Sequence, residues 1–261
     1  KAFFNFVRMM PALPPCCAFH HIVSGNRAMV PTDVPPDQAD VAPRKAFSRR
    51  DFAVLTGLAG VGWLGSWVLR ESAPLAQDMS SNGRAQTAAD QRTSRSAGNP
   101  DGSVTIVAFN DFLCPICKVT AHVLAAAVKH DGDVRIEYRD LAFFGPMAER
   151  AALVGLAMDR QSLYPAYHDR TMAMHIPLTE TVLRDIGYDI GADWEQATKD
   201  LKDRRQAFLS RLHQDANLAF GLGIRGTPAF LVESLLAIGR KTEDEFLGIF
   251  AKARDLARVA K

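Results

Sequence analysis

Runs of apolar residues, helical periodicity and strict alternation follow one another along the chain, and each predicts a different element. Val104-Thr105-Ile106-Val107-Ala108-Phe109 is a short apolar run rich in β-branched residues and reads as a buried strand. Residues 118–129 place Val119, Val123, Leu124 and Ala127 on one helical face, and Asp131-Gly132-Asp133 ends that helix with turn chemistry. Val134-Arg135-Ile136-Glu137-Tyr138 alternates apolar and polar residues, the pattern of a second strand. Strand, helix and strand within about 40 residues form a βαβ unit with parallel strands. Residues 147–222 are helical almost throughout, with Pro165 and Pro177 near helix starts, where a missing donor costs little. Ala229-Phe230-Leu231-Val232 and Leu235-Leu236-Ala237-Ile238, joined by Glu233-Ser234, predict a hairpin. Thr242 and Glu245 are spaced as a capping box that opens a last helix over 243–259. The order is β-α-β, a helical block, then β-β-α.

The region before residue 102 follows no such order. Residues 1–47 are proline-rich and read as an extension outside any domain. The chain begins with Lys1 rather than Met, and Met29 is an alternative start. Ser48-Arg49-Arg50-Asp51-Phe52 then precedes 17 uncharged, mostly apolar residues, 53–69. A basic pair before an apolar core predicts an export signal. An uncleaved anchor helix is a second reading, although a span needs about 20 apolar residues; a buried core helix is a third. Residues 77–101 are polar, with only small apolar residues in no usable period, and are expected to be a flexible linker. The folded domain is therefore expected over 102–261, with the helical insertion at 147–222.

The 261 residues are 48% hydrophobic, which excludes a disordered chain, and a net charge of +2 offers no basic excess for nucleic acid. Counted by segment, residues 1–76 hold 8 basic and 5 acidic groups, and the rest 23 and 24, so the basic character belongs to the part outside the domain. Of four cysteines, Cys16 and Cys17 lie upstream of the apolar run, which leaves Cys114 and Cys117 in the domain.

That pair follows a buried strand and opens a helix. Pro115 suits the first helical position and leaves Cys114 at or beside the cap, where unpaired N–H groups and the positive end of the helix dipole favour a thiolate. Spacing of three puts both sulfurs on one face, within reach of a disulfide. The expected chemistry is thiol–disulfide exchange, with one cysteine attacked and the other resolving, and with Cys114 the more exposed. A half zinc site is an alternative, but no second cysteine pair stands in the domain to complete it. A structural disulfide closing so short a loop is another, and it would stabilise little. His122, His130, His168, His175 and His213 form no short metal motif and read as surface or core residues.

The segment Phe109-Asn110-Asp111-Phe112-Leu113-Cys114-Pro115-Ile116-Cys117-Lys118 resembles the active-site segment of the DsbA-like branch of the thioredoxin superfamily. Gly223-Ile224-Arg225-Gly226-Thr227-Pro228-Ala229-Phe230 resembles that family's cis-proline loop, and the element order agrees over 102–261. The resemblance implies an α/β thioredoxin-like fold, a cis Pro228 against the cysteine pair, and a Thr227 backbone that pairs with an extended substrate peptide. No cofactor is implied beyond the redox-active Cys114–Cys117 disulfide. The implied partners are protein or peptide thiols and a redox protein that recycles the pair. The consecutive Arg49 and Arg50 similarly resemble a twin-arginine export signal, which implies passage through export machinery to a periplasmic or other extracytoplasmic site, tethered there if the signal stays uncleaved.

Departures from the family pattern modulate these expectations. Many relatives carry a buried acid six residues before the first cysteine, where this chain has Ala108; Asp111 lies three residues closer and is no evident substitute. Proton transfer at Cys117 is then expected to run through water. Between the cysteines, Pro115-Ile116 lacks the histidine of the strongest oxidants, which predicts a milder oxidant. The dimerisation domain of the family's isomerases has no counterpart in 77–101, which predicts a monomer. The alternative function class is a thioredoxin-fold module, either a chaperone or a binder of soft metals such as Cu(I) or Zn(II) through the thiols.

Overall fold

The computed structural model describes residues 75–259. Its centre is β3 (Val104–Asn110), which pairs in parallel with β4 (Val134–Asp140) in the register Ile106↔Ile136. The crossover is α2 (Pro115–Asp131), which Gly132 ends in the left-handed conformation at φ 75°. The expected hairpin is β5 (Ala229–Val232) and β6 (Leu235–Ile238), and β5 lies antiparallel against the other side of β3. The helical block is five helices: α3 (Pro146–Asp159), α4 (Tyr164–Met172), α5 (Glu180–Asp189), α6 (Trp194–Asp203) and α7 (Arg205–Gly221). The chain closes with α8 (Glu243–Val259). At its start Thr242 N–H donates to Glu245 at 2.7 Å, and Glu245 N–H donates to Thr242 Oγ1 at 3.3 Å, the reciprocal pair the spacing predicts.

The flexible linker expected over 77–101 is instead part of the fold. Gln77–Asp78 is β1, Gly83–Asp90 is α1 and Ser96–Gly98 is β2. The mixed sheet has six strands in the order β1-β6-β5-β3-β4-β2, so this one segment supplies both edges. The domain thus begins by residue 75 rather than 102. The physical reason lies in three small residues. Ala85, Ala88 and Ala89 fall at i, i+3 and i+4, and all are buried on one helical face. Their short side chains let α1 pack closely, so the period is helical although little apolar mass marks it. Asn82 caps the helix by accepting the N–H of Arg84 at 3.0 Å.

Both faces of the sheet are covered. Val104, Ile106 and Ala108 join one core with Leu124, Phe230, Phe246 and much of the helical block. Val107 and Phe109 point the other way and join Ala85, Ala88, Ala219, Leu222 and Ile224. The alternation in β4 is real, yet Arg135, Glu137 and Arg139 are as buried as its apolar residues. Charge pairing makes that burial tolerable. Arg95, just before β2, donates to Asp140 at 3.0 Å and to Asp215 of α7 at 2.8 Å. Tyr164 adds its hydroxyl to Asp140 at 2.6 Å, and Thr93 donates its N–H and hydroxyl to Glu137 at 2.9 and 2.7 Å. Arg139 stands 3.7 Å from Asp215, and Arg135 stands 3.6 Å from Glu137. The segment read as a linker is therefore tied to the sheet by desolvated ion pairs.

Arg49, Arg50, the apolar run 53–69 and Cys16–Cys17 lie outside the described residues. Among the described residues, no helix is long and apolar enough to cross a membrane.

Candidate active site

The parallel strand β3 ends at Asn110, and the chain turns through Asp111 into α2. Cys114 is the N-cap, in extended conformation (φ −71°, ψ 116°), with Pro115 in the first turn, so the cap position read from the sequence is the one found. The Cys114 N–H donates to the Asp111 carbonyl at 3.0 Å, and the Cys117 N–H donates to Cys114 Sγ at 3.3 Å. From the opposite side comes the loop before β5. Its Thr227–Pro228 bond is cis, and the Thr227 carbonyl accepts from Cys114 Sγ at 3.4 Å. Residues more than a hundred positions apart thus meet at one helix terminus, and both cysteines are free thiols there.

Cys114 is the more exposed member, as expected, but by a narrow margin. Cys114 is only 2% exposed and Cys117 is fully buried, because the Thr227 loop covers the first sulfur. What separates the two is electrostatics. Cys114 is pulled down to about 6, chiefly by the hydrogen bond from the Cys117 thiol and against the cost of burial. The Thr227 hydroxyl and the backbone N–H groups of Cys117 and Ile116 help. That hydroxyl is buried with no partner in the dithiol, so it has a proton to donate to an ionised Cys114. Cys117 moves the opposite way: its hydrogen bond to Cys114 and its burial both hold the proton on. The helix N-terminus contributes, as expected, but the neighbouring thiol contributes more.

A pH titration follows from this asymmetry. The thiolate ultraviolet absorbance of the reduced protein should rise with a midpoint of about 6 for one thiol, and the second thiol should ionise only above its ordinary range. The folded-state value lies below the unfolded one, about 8.5. The contribution to reduced-state stability is therefore complete above the unfolded value and is lost as pH falls through the folded one. The oxidised form has no such thiol. The Tm difference between reduced and oxidised protein should shift against the reduced form on acidification through that window; a pH-independent difference would contradict it.

Asp111 is fully buried, and its carboxylate does not stand in for the missing acid at Ala108. It is committed elsewhere, accepting the N–H groups of Leu113 at 2.8 Å, Phe143 at 2.7 Å and Phe144 at 3.1 Å. Burial pushes its carboxyl up, and those three donors oppose the shift. Asp111 thereby ties the cysteine turn to the loop after β4. That loop carries Phe143 and Phe144, which sequence reasoning did not single out; two adjacent phenylalanines before Gly145-Pro146 were the available signal. Phe144 is 53% exposed, and Phe143 stacks on Phe220 with ring centroids 5.8 Å apart. Arg225 lies over the Phe220 ring at 5.3 Å. On the α2 side, Ile116 is 50% exposed and Lys118 donates to the Met174 carbonyl at 2.8 Å. Apolar side chains left in water around a reactive centre mark a contact surface.

Of the histidines, His122, His130, His175 and His213 are exposed, while His168 is buried with its ring 4.1 Å from that of Tyr138. Among the described residues, no three His, Cys, Asp or Glu side chains gather in a cluster that could hold a metal.

Comparison with known proteins agrees with this geometry. The family model of the DSBA-like thioredoxin domain matches residues 105–251. The solved thioredoxin-like oxidoreductase from Silicibacter pomeroyi DSS-3 is 33% identical, with a TM-score of 0.58 over 64% of this chain and 92% of that one. The thiol-disulfide exchange protein alpha-DsbA2 from Wolbachia pipientis shares the fold at 21% identity and a TM-score of 0.58, over 69% of this chain and 100% of that one. A curated relative, the probable disulfide bond formation protein D of Bacillus anthracis, is 25% identical over 158 residues, 56% of this chain and 72% of its own length. A thiol pair at a helix cap, a cis-proline loop against it, the mixed sheet with its helical insertion and these matches have one reading: the chain belongs to the DSBA-like thioredoxin domain family, as a thiol–disulfide oxidoreductase.

Proposed function

We propose that this protein is exported and exchanges disulfides with protein or peptide thiols through Cys114 and Cys117. The observation that carries the reading is the free thiol pair at the start of α2, with the Cys117 N–H donated to Cys114 Sγ and the Thr227 carbonyl 3.4 Å from that sulfur. In the oxidised form a substrate thiolate attacks Cys114 Sγ, the Cys114–Cys117 bond breaks, and its electron pair leaves on Cys117, which takes up a proton. With Ala108 in place of an acid and the Asp111 carboxylate occupied, water delivers that proton. A second substrate thiolate attacks the substrate's own sulfur in the mixed disulfide, and Cys114 departs as thiolate. The substrate has lost two electrons and the cysteine pair has gained them. A leaving thiol of low pKa speeds the last step.

The Thr227 main chain binds the substrate as an added strand, and Pro228 holds that loop against the pair. Phe143, Phe144 and Ile116 offer apolar contact to the residues flanking the substrate cysteine. Pro115 sets the helix start, and the Ile116 side chain supplies neither donor nor charge to the thiolate. A thiol at about 6 lies between the low and near-neutral extremes of its class, about 3.5 and about 7. The reduction potential measured against glutathione is accordingly expected between about −120 and about −270 mV, and a value at the strongly oxidising end would overturn the role given to Ile116.

Arg49-Arg50 and the apolar run after them support export by a twin-arginine route to an extracytoplasmic, oxidising compartment. A domain that folds before crossing arrives with its thiols reduced, so a redox partner must oxidise it there. The protein acts as a monomer. The test is the chemistry itself, on protein purified without chelator. Oxidation of a dithiol peptide and reduction of insulin are expected; stoichiometric bound metal with neither activity would sink the redox reading in favour of a soft-metal module.

A further inference from the structure

A cavity of ≈ 390 Å³ lies between the segment that leads into β2, the C-terminal end of α3 and the start of α7, and it shares no lining residue with the cysteine site. That volume lies within the size range of small-molecule sites. Five arginines line it, Arg92, Arg95, Arg160, Arg204 and Arg211, of which Arg95 is buried and committed to Asp140 and Asp215. The arrangement has a helical basis: Arg204, Ala207, Phe208 and Arg211 fall at i, i+3, i+4 and i+7, one stripe of α7 and its cap.

Four of the five have a carboxylate within salt-bridge reach, but two of those carboxylates are shared between arginines. Asp200 is shared, with one oxygen 3.2 Å from Arg204 and the other 3.4 Å from Arg160. Asp215 is engaged with Arg95 at 2.8 Å and stands 3.8 Å from Arg211. Arg92 donates to the Pro100 carbonyl at 2.8 Å and has no carboxylate within salt-bridge reach among the described residues. Each guanidinium carries five N–H donors in a planar fork that matches phosphate oxygens, so donors far outnumber acceptors here. A concavity with more cations than carboxylates concentrates anions.

The remaining lining narrows the ligand. Asp159 accepts the Ser94 hydroxyl on Oδ2 at 2.7 Å, while its Oδ1 is buried with no partner. A carboxylate oxygen needs a donor there, and a bare anion of full charge has none to offer. Leu156 and Phe208 add an apolar wall that an anion alone would leave uncovered.

We propose that this cavity binds a small phosphate monoester bearing a free hydroxyl. Arg92, Arg204 and Arg211 hold the phosphate, the hydroxyl donates to Asp159, and the short carbon body lies against Leu156 and Phe208. The site is separate from the thiol chemistry, and its test does not depend on that chemistry.

The experiment is isothermal titration calorimetry of the full chain with glycerol phosphate and with sulfate, which carries no proton to donate at neutral pH, at matched ionic strength. One saturable site is expected, tighter for glycerol phosphate. Arg92→Gln and Arg204→Gln should each weaken it about tenfold, the loss of one charge-assisted hydrogen bond. Asp159→Ala should remove the advantage of glycerol phosphate over sulfate. Arg184→Gln and Arg258→Gln, at exposed arginines outside the cavity, should leave both affinities unchanged. Arg92 is exposed and pairs with no carboxylate, so its variant keeps the test alive if Arg204→Gln fails to fold. Absence of saturable binding at millimolar concentration, or equal losses in the distant variants, would overturn the site. Equal affinity for the two probes would overturn the assignment to an ester.

Discussion

Cys114→Ala is expected to abolish disulfide exchange, whereas Cys117→Ala is expected to convert the protein into a trap for its substrates. The two outcomes differ because the sulfurs have unlike surroundings. Cys114 accepts the Cys117 N–H and faces the Thr227 carbonyl, so a partner peptide lying along that loop brings its sulfur to Cys114 first. Without Cys114 no thiolate remains at the cap, and the surviving Cys117 is buried, out of reach of a partner sulfur. Exchange should fall by several orders of magnitude, to the level of the uncatalysed reaction. Without Cys117 the first bond can still form with an activated substrate, but nothing within the protein can resolve it. Non-reducing electrophoresis of cells expressing Cys117→Ala should show adducts that vanish with reductant and are absent in the double variant. Adducts through Cys117 in the Cys114→Ala variant would reverse the assigned order of attack.

Arg95→Ala should cost about 3–5 kcal/mol of folding stability, the range for removing one partner of a buried ion pair. Its guanidinium joins two carboxylates that are almost completely buried, Asp140 at the end of β4 and Asp215 on α7. Burial disfavours the Arg95 charge, and Asp215 and Asp140 more than offset that. Taking the arginine away strands two acids in the same low-dielectric space. The loss is a large share of the roughly 5–15 kcal/mol a domain possesses. Urea unfolding of Arg95→Ala beside Arg184→Ala measures it. Arg184 pairs with its neighbour Asp185 at the surface, and its removal should change stability by under about 0.5 kcal/mol. A loss below about 1 kcal/mol for Arg95→Ala would mean that the network does not hold the 91–98 segment to the sheet.

The parts of this fold that were legible carry local signals. The β-branched run of β3, the capping box of α8, the cysteine spacing and the Gly226-Thr227-Pro228 loop each announce themselves within a few residues. The two cysteine-facing segments could be brought together from sequence only through family resemblance, because 113 positions separate Cys114 from Thr227. Residues 77–101 were misread for a different reason. An alanine face such as Ala85, Ala88 and Ala89 buries little area per residue, and its value lies in close approach to a surface not visible in the sequence. Arg95 reads as a soluble residue until Asp140 and Asp215, 45 and 120 positions away, are placed beside it. The same holds for Asp111. Its role in fixing the Phe143–Phe144 loop depends on backbone N–H groups, which carry no sequence signature.

The placement of β1 has a consequence for the order of synthesis. Gln77, among the first residues of the domain to leave the ribosome, pairs with Leu236, among the last. Closing so long a loop costs only slightly more than closing a short one, but it cannot happen before the far end exists. A nascent chain that stops short of β5 and β6 leaves β3 open along one side and β1 without its partner. Unpaired strand edges invite association with other chains. The domain therefore completes its sheet only once translation has passed the C-terminal hairpin, and until then its open edges must be shielded by something other than the fold itself.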